Sequence, residues 1–169
     1  MRNSRTRTMF LSRKIKEIYS LAKTIASLKK KNKKIVFTNG CFDLVHYGHV
    51  KYLEDAKNNG DILVVGVNSD KSVKAIKGKQ RPIIKEEYRI KVIAALESVD
   101  FVFLFNEATP LKAINILKPD ILVKGADWDK KDIVGADPVK RTGGKVLRIS
   151  LVKGLSTSKI IEQIAKSRR

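Results

Sequence analysis

The sequence predicts an open, parallel α/β sheet with helices on both of its faces, and three observations carry that prediction. Short apolar runs alternate with longer amphipathic or capped segments along the chain. Each run is apolar throughout rather than at every second residue, the pattern of strands buried on both faces. Most runs end in glycine, asparagine, aspartate or lysine-glycine, which delivers polar groups to the carboxyl ends of the strands. Ligands of such sheets bind beyond those ends, where the strand order reverses. One domain with five strands is expected over residues 34–169, behind a basic tail and an amphipathic helix over residues 1–33.

Taken in order, residues 1–9 are polar, basic and aperiodic, and disorder is expected there. From Phe10 to about Leu28 the residues Leu11, Ile15, Ile18, Ala22 and Ile25 recur every three or four positions, one stripe of an amphipathic helix. That stripe needs a cover: its own domain, a second subunit or a partner. Lys29 to Lys34 form a basic link into a first strand at Ile35-Val36-Phe37, which Asn39-Gly40 ends. A helix follows His46 through Val50, Leu53 and Ala56 and closes at Asn58-Asn59-Gly60. Asp61 to Val67 is a second strand, ended by Asn68-Ser69-Asp70. Residues 77–82 read as a basic loop that Pro82 separates from a helix at about Glu86 to Glu97. Phe101 to Phe105 is the third strand, Pro110 opens a helix to about Leu117, and Ile121-Leu122-Val123 is the fourth strand. Gly143-Gly144 precedes a fifth strand at Lys145 to Ile149, and Ser156 to Lys166 is the last helix.

Composition narrows the classes. At 169 residues the chain suits one domain with a sizeable core. The net charge of +19 is uneven: residues 1–34 hold 12 lysines and arginines against one acid, the remainder 24 against 16. Such a charge would suit nucleic acid or an anionic membrane surface, or a domain that handles polyanionic substrates. Aromatics are too scattered for a base-stacking platform, so a nucleic-acid partner is not expected, and a nucleic-acid-binding protein on a degenerate core stays as the alternative of another class. No apolar run is long enough to cross a membrane, and charges break every apolar stretch after the basic N-terminus, so a cytoplasmic protein is expected. A single cysteine excludes an internal disulfide framework.

The stretch most suited to chemistry runs from Lys34 to His49. His46 and His49 are the only histidines, and at a helix start they fall on one side, three positions apart. Gly48 between them leaves the backbone open to a bulky ligand group, and the unpaired amides of a helix N-terminus favour a phosphate. A metal site is the competing reading of the pair, but no further ligands stand at a recognisable spacing. Cys41 is either a nucleophile, for which no histidine outside the pair is at hand, or a small buried residue after a strand. Gly154-Leu155-Ser156-Thr157-Ser158 before the last helix is a cap through Ser156, a phosphate cradle, or both.

The strand with Asn39-Gly40-Cys41-Phe42-Asp43 and His46-Tyr47-Gly48-His49 resembles the first motif of the cytidylyltransferase-like nucleotidyltransferases, whose signature is HxGH. From about Lys34 to Ile164, further pieces resemble the heptose 1-phosphate adenylyltransferases, which make ADP-heptose for bacterial lipopolysaccharide. Among them are Asn68-Ser69-Asp70, Lys77-Gly78 with Arg81-Pro82, Lys118-Pro119-Asp120, Val123-Lys124-Gly125 and Ser156-Thr157. Gly125-Ala126-Asp127-Trp128 departs from that family's Gly-Gly-Asp-Tyr, and Asp127-Trp128 is similar to the glycerol 3-phosphate cytidylyltransferases. The resemblance implies a Rossmann-like domain, a homodimer, and transfer of AMP from ATP, with magnesium, to a sugar 1-phosphate. It implies that His46, His49, Lys77 and Arg81 act on the phosphates. Asn39, Gly40, Cys41, Phe42, Gly48, Gly125, Asp127, Ser156 and Thr157 would hold the nucleotide, and Asp43 and Asp70 either serve the acceptor or hold turns and helix caps. No metal-binding residues of the protein's own are implied.

Overall fold

The computed structural model describes residues 13–167. Five parallel strands form one sheet: β1 (Ile35–Gly40), β2 (Ile62–Asn68), β3 (Phe101–Phe105), β4 (Ile121–Gly125) and β5 (Lys145–Ile149), in the spatial order β3-β2-β1-β4-β5. The chain works outward from β1 to β3 and then crosses back to β4, so the order reverses between β1 and β4. Those two strands pair only through Val36 with Ile121 and Phe37 with Leu122, whereas β1 and β2 stay paired from Ile35 to Gly40. A crevice therefore opens at the carboxyl ends of β1 and β4, the position at which open α/β sheets take ligands.

Along β1 to β4 the buried stretches are apolar because successive side chains enter two different cores, whereas the edge strand β5 departs from the expected pattern, with Lys145 and Arg148 exposed and none of its residues fully buried. Val36, Leu63, Val65 and Val123 pack under α2 (Tyr47–Lys57) and α4 (Glu86–Ala95), through Leu53, Ala56, Ile90 and Ile93. Ile35, Phe37, Val64 and Leu122 pack under α1 (Ile18–Lys30) and α5 (Leu111–Leu117), through Leu21, Ile25, Ile114 and Leu117. The N-terminal stripe is thus covered by its own sheet. It is not one continuous helix over Phe10 to Leu28, of which residues 10–12 lie outside the described residues. Ile15 instead forms an isolated parallel bridge with Val102, the Lys16 amide donates to the Val102 carbonyl at 3.0 Å, and α1 starts at Ile18.

Aspartates fasten the opposite edge of the sheet. Asp120 accepts from the Ile35 amide at 2.8 Å and from Lys29 at 2.9 Å, and Asp100 accepts from the Leu63 amide at 2.7 Å. Two helices depart from the expectation. Residues after Asn68 continue as α3 (Asp70–Lys77), capped by Ser69, so Lys77 ends a helix rather than opening a loop. A short helix α6 (Ala136–Arg141) precedes Gly143-Gly144. The last helix, α7 (Thr157–Lys166), starts at its Ser156 cap as expected, the Lys159 amide donating to Ser156 Oγ at 3.3 Å.

Candidate functional site

The crevice continues into a cleft of about 470 Å³. Its floor is the ends of β1 and β4, one wall is the start of α2, and the other sides are the end of α3, the segment after β4 and the start of α7.

His46 caps α2 and His49 lies one turn in, with ring centroids 3.9 Å apart and planes inclined by 30°. The His46 amide donates to His49 Nδ1 at 3.3 Å. A neutral His49 then carries its proton on Nε2, free to donate elsewhere. Burial pushes His49 down to about 4, the neighbouring His46 adding to the effect, and burial lowers His46 too. Both rings are neutral near pH 7. Phe42 meets the His49 ring edge-on at 5.5 Å and adopts a left-handed backbone, φ 47°. Such a backbone costs a phenylalanine about 1–3 kcal/mol. The glycine between the histidines has a second role beside the one expected: a Cβ on Gly48 would sit 3.0 Å from the His46 ring. Gly48 leaves room for the imidazole as well as for a ligand.

Across the cleft, Ser156 and Thr157 begin α7, and Thr157 Oγ1 donates to the Leu44 carbonyl at 3.3 Å. This bond ties the last helix to the turn that delivers His46. Two helix N-termini with their free amides therefore face one volume.

Arg81 also lines the cleft but does not hang from a loose loop. Its Nε donates to Asp43 Oδ2 at 2.6 Å, and the Ile83 and Ile84 amides each donate to Asp43 Oδ1 at 2.8 Å. Burial, the largest influence on Asp43, pushes its carboxyl up, but the Ile84 and Ile83 amides and Arg81 together hold it below the usual range. Asp43 is occupied with this turn. Asp70 does not line the cleft: at the start of α3, its Oδ1 accepts from the Glu86 amide at 2.9 Å and Arg89 Nη2 at 2.8 Å. All the other expected residues, from Asn39 through Phe42, His46, Gly48, His49, Lys77, Arg81, Gly125 and Asp127 to Thr157, line the one volume.

Three residues around the site carry no individual role in the sequence reading, although Lys124 falls within one of its motifs. Arg89 is 1 % exposed and donates to the carbonyls of Cys41 and Ile84 as well as to Asp70, joining the turn after β1 to α3 and α4. Tyr52 shares a hydrogen bond of 2.8 Å with Thr38 Oγ1 beneath the histidines. Lys124 sits within a buried strand and donates to Asn39 Oδ1, its ammonium 5.7 Å from the Trp128 ring centroid. A lone charge inside an apolar run was the available signal for Lys124.

A parallel sheet whose switch-point crevice is edged by two helix N-termini, paired histidines and cations is suited to nucleotides and their phosphates, and the family match makes it a nucleotidyltransferase fold. The chain belongs to the cytidylyltransferase-like family, whose model matches residues 37–163. It is similar to the bifunctional protein HldE of Citrifermentans bemidjiense, 54% identical over 154 residues, which covers 91% of this chain and 32% of that protein. The same protein of Campylobacter jejuni subsp. doylei is 57% identical over 149 residues, 88% of this chain and 32% of the relative. The chain thus spans about a third of the length of the curated relatives it matches. Among solved structures it is similar to a lipopolysaccharide core biosynthesis protein from Thermoplasma volcanium, with 33% identity and a TM-score of 0.59 over 72% of this chain and 98% of that one. A pantoate-beta-alanine ligase from Francisella tularensis, 17% identical with a TM-score of 0.56 over 90% of this chain and 76% of that one, shares the fold.

Proposed function

We propose that the protein transfers AMP from ATP to heptose 1-phosphate, releasing pyrophosphate and giving ADP-heptose for lipopolysaccharide core or surface-glycan synthesis. The observation that carries the reading is the pairing of the His46–His49 helix start with the Ser156–Thr157 helix start across one cleft. The identity with the HldE proteins, spread over about nine tenths of this chain, supports the heptose acceptor.

The reaction makes few demands that this cleft does not meet. The acceptor phosphate is a dianion near neutral pH, its second pKa being about 6, and attacks the α-phosphorus without a general base. The bond from that phosphorus to the β-phosphate oxygen breaks, and pyrophosphate leaves with the electron pair. The protein's part is to hold two polyanions in line and to stabilise charge on the equatorial and leaving oxygens. Neutral His49 donates through Nε2, and the amides at the starts of α2 and α7 donate alongside it. Lys77 and Arg81 supply positive charge at the leaving-group side, while Asn39 to Phe42, Gly125 and Asp127 hold the nucleotide. Asp43 acts here by placing Arg81, and Asp70 by placing the same turn through Arg89. The acidic side chains of the cleft are Asp43, already saturated, and Asp127; this set suits a magnesium ion held by phosphate oxygens and water rather than by a protein cage. The reading includes a homodimer acting in the cytoplasm, the dimer being open to test by light scattering. Among the described residues no helix is long and apolar enough to cross a membrane.

Pyrophosphate release, measured with ATP or CTP against heptose 1-phosphate or glycerol 3-phosphate, tests the proposal, with His46→Ala as control. Turnover confined to ATP and heptose 1-phosphate is expected. Turnover with CTP and glycerol 3-phosphate would move the protein to the second reading, which the Asp127-Trp128 pair favours. Silence in all four reactions would overturn both.

A further inference from the structure

Lys124 is 8 % exposed, yet its ammonium faces the cleft from the floor of the β1–β4 crevice. Lys124 and Asn39 are the penultimate residues of β4 and β1, and both stand beyond the last backbone pair that joins the strands. Their side chains bridge the gap that the backbone leaves open. An ammonium has three N–H donors. Asn39 Oδ1 takes one, Trp128 offers a ring face at 5.7 Å, and no carboxylate among the described residues forms an ion pair with it. Asp127 is close enough only to favour the charge from a distance, and burial outweighs it, pushing the ammonium down to about 8. A buried cation held by one neutral acceptor is unfavourable unless something else completes its shell. The arrangement is that of a site waiting for an anion.

We propose that Lys124 is a phosphate-binding residue of this cleft, directing its two remaining N–H donors at phosphoryl oxygens of the reactants. The inference rests on the phosphoryl-transfer reading and adds to it a cation beneath the substrates, opposite the helix termini. Asn39 is then a positioning residue: its Oδ1 fixes the direction of the ammonium, as a carboxylate could not without neutralising it. The phosphate can belong to the nucleotide or to the acceptor, and the two give different results below.

The experiment is isothermal titration of the full chain with ATP, with inorganic pyrophosphate and with inorganic phosphate, comparing wild type, Lys124→Met, Lys124→Arg and the surface control Lys112→Met. Melting of each ligand-free protein is recorded beside it. Trp128, the single tryptophan, reports wild-type binding independently by fluorescence. Lys124→Met is expected to weaken at least one probe tenfold or more, Lys124→Arg to keep it within about threefold, and Lys112→Met to change nothing. Weakened ATP and pyrophosphate place the contact on the nucleotide, and weakened inorganic phosphate places it on the acceptor. The ligand-free Lys124→Met protein should melt no lower than wild type, because it loses an unpaired buried charge. Wild-type affinity for all three probes in Lys124→Met, or a lower melting temperature with affinities unchanged, would overturn the proposal and leave Lys124 a structural partner of Asn39. Binding that responds to Lys124 in a wild type that transfers nothing to heptose 1-phosphate would overturn the acceptor assignment alone.

Discussion

Arg81 donates through Nε to Asp43 at 2.6 Å, and the Asp43 side chain is only 1% exposed. The same carboxylate holds the Ile83 and Ile84 amides, so one buried charge sets the path of residues 81–84 beside the cleft. Asp43→Asn keeps the shape but leaves Arg81 without its counter-charge. Breaking a buried pair from one side costs about 3 kcal/mol. The urea midpoint should fall accordingly with its slope unchanged, and kcat/KM for ATP should fall more than tenfold because Arg81 loses its place. An unchanged midpoint would mean that the turn is held by other contacts.

Gly48→Ala separates stability from activity. Alanine is the better helix former by about 1 kcal/mol, and position 48 lies in the first turn of α2. Its methyl group would meet the His46 ring at 3.0 Å, with Leu155 3.6 Å away on the other side. The ring must give by a few tenths of an ångström, a fraction of the roughly 1 Å misplacement that costs about a hundredfold at a reacting centre. The variant should melt no more than a few degrees from wild type while kcat falls about three- to tenfold. Full activity would show that the His46 ring has freedom the packing does not suggest.

What the sequence disclosed and what it hid divide along a physical line. The strands were legible because each is a run such as Ile62 to Val67, apolar for reasons local to the run. The histidines and the Ser156 cap were legible because their roles depend on a helix start, which a few neighbouring residues determine. Helix α3 was not, because it is only eight residues long and its apolar side reduces to Val73 and Ile76 among lysines, a single turn that is too short to read as a period. Arg89 was not, because its partners Cys41, Asp70 and Ile84 are distant in sequence or carry only backbone oxygens. For Asp70 the sequence leaves an acceptor role and a turn or cap role open for the same reason: nothing near it in the chain announces that Arg89 occupies it. Asp43 likewise stays undecided between acceptor and turn until residues 81–84 are brought against it.

Arg89 supplies a direct check on that long-range tie. Lys at this position keeps the charge but cannot reproduce the fork that reaches Ile84, Cys41 and Asp70 together. Arg89→Lys should lose about 2–4 kcal/mol of stability, the cost of leaving buried acceptors unpaired. In hydrogen exchange, amides of α3 and of residues 81–84 should lose protection before those of β1 and β2. Uniform loss over the whole sheet would mean that Arg89 supports the core in general rather than the joint between these segments.

The histidine pair makes stability depend on pH in a window of its own. His49 titrates at about 4 when folded against an ordinary value of 6.5. The unfolded chain therefore binds the proton first, and stability present above pH 6.5 is lost as pH falls toward 4. The linkage relation gives a loss of about 2 kcal/mol between pH 7.5 and pH 5, and His46, also lowered, acts in the same direction. Asp43 has its folded pKa below the ordinary 3.8, so its contribution is lost only in more acidic solution and does not overlap this window. Urea unfolding of wild type at pH 7.5, 6 and 5 should show the decline, and His49→Asn should flatten most of it. If the variant declines as steeply as wild type, the protons enter elsewhere, and His49 is not the half-buried neutral donor that the transfer chemistry uses.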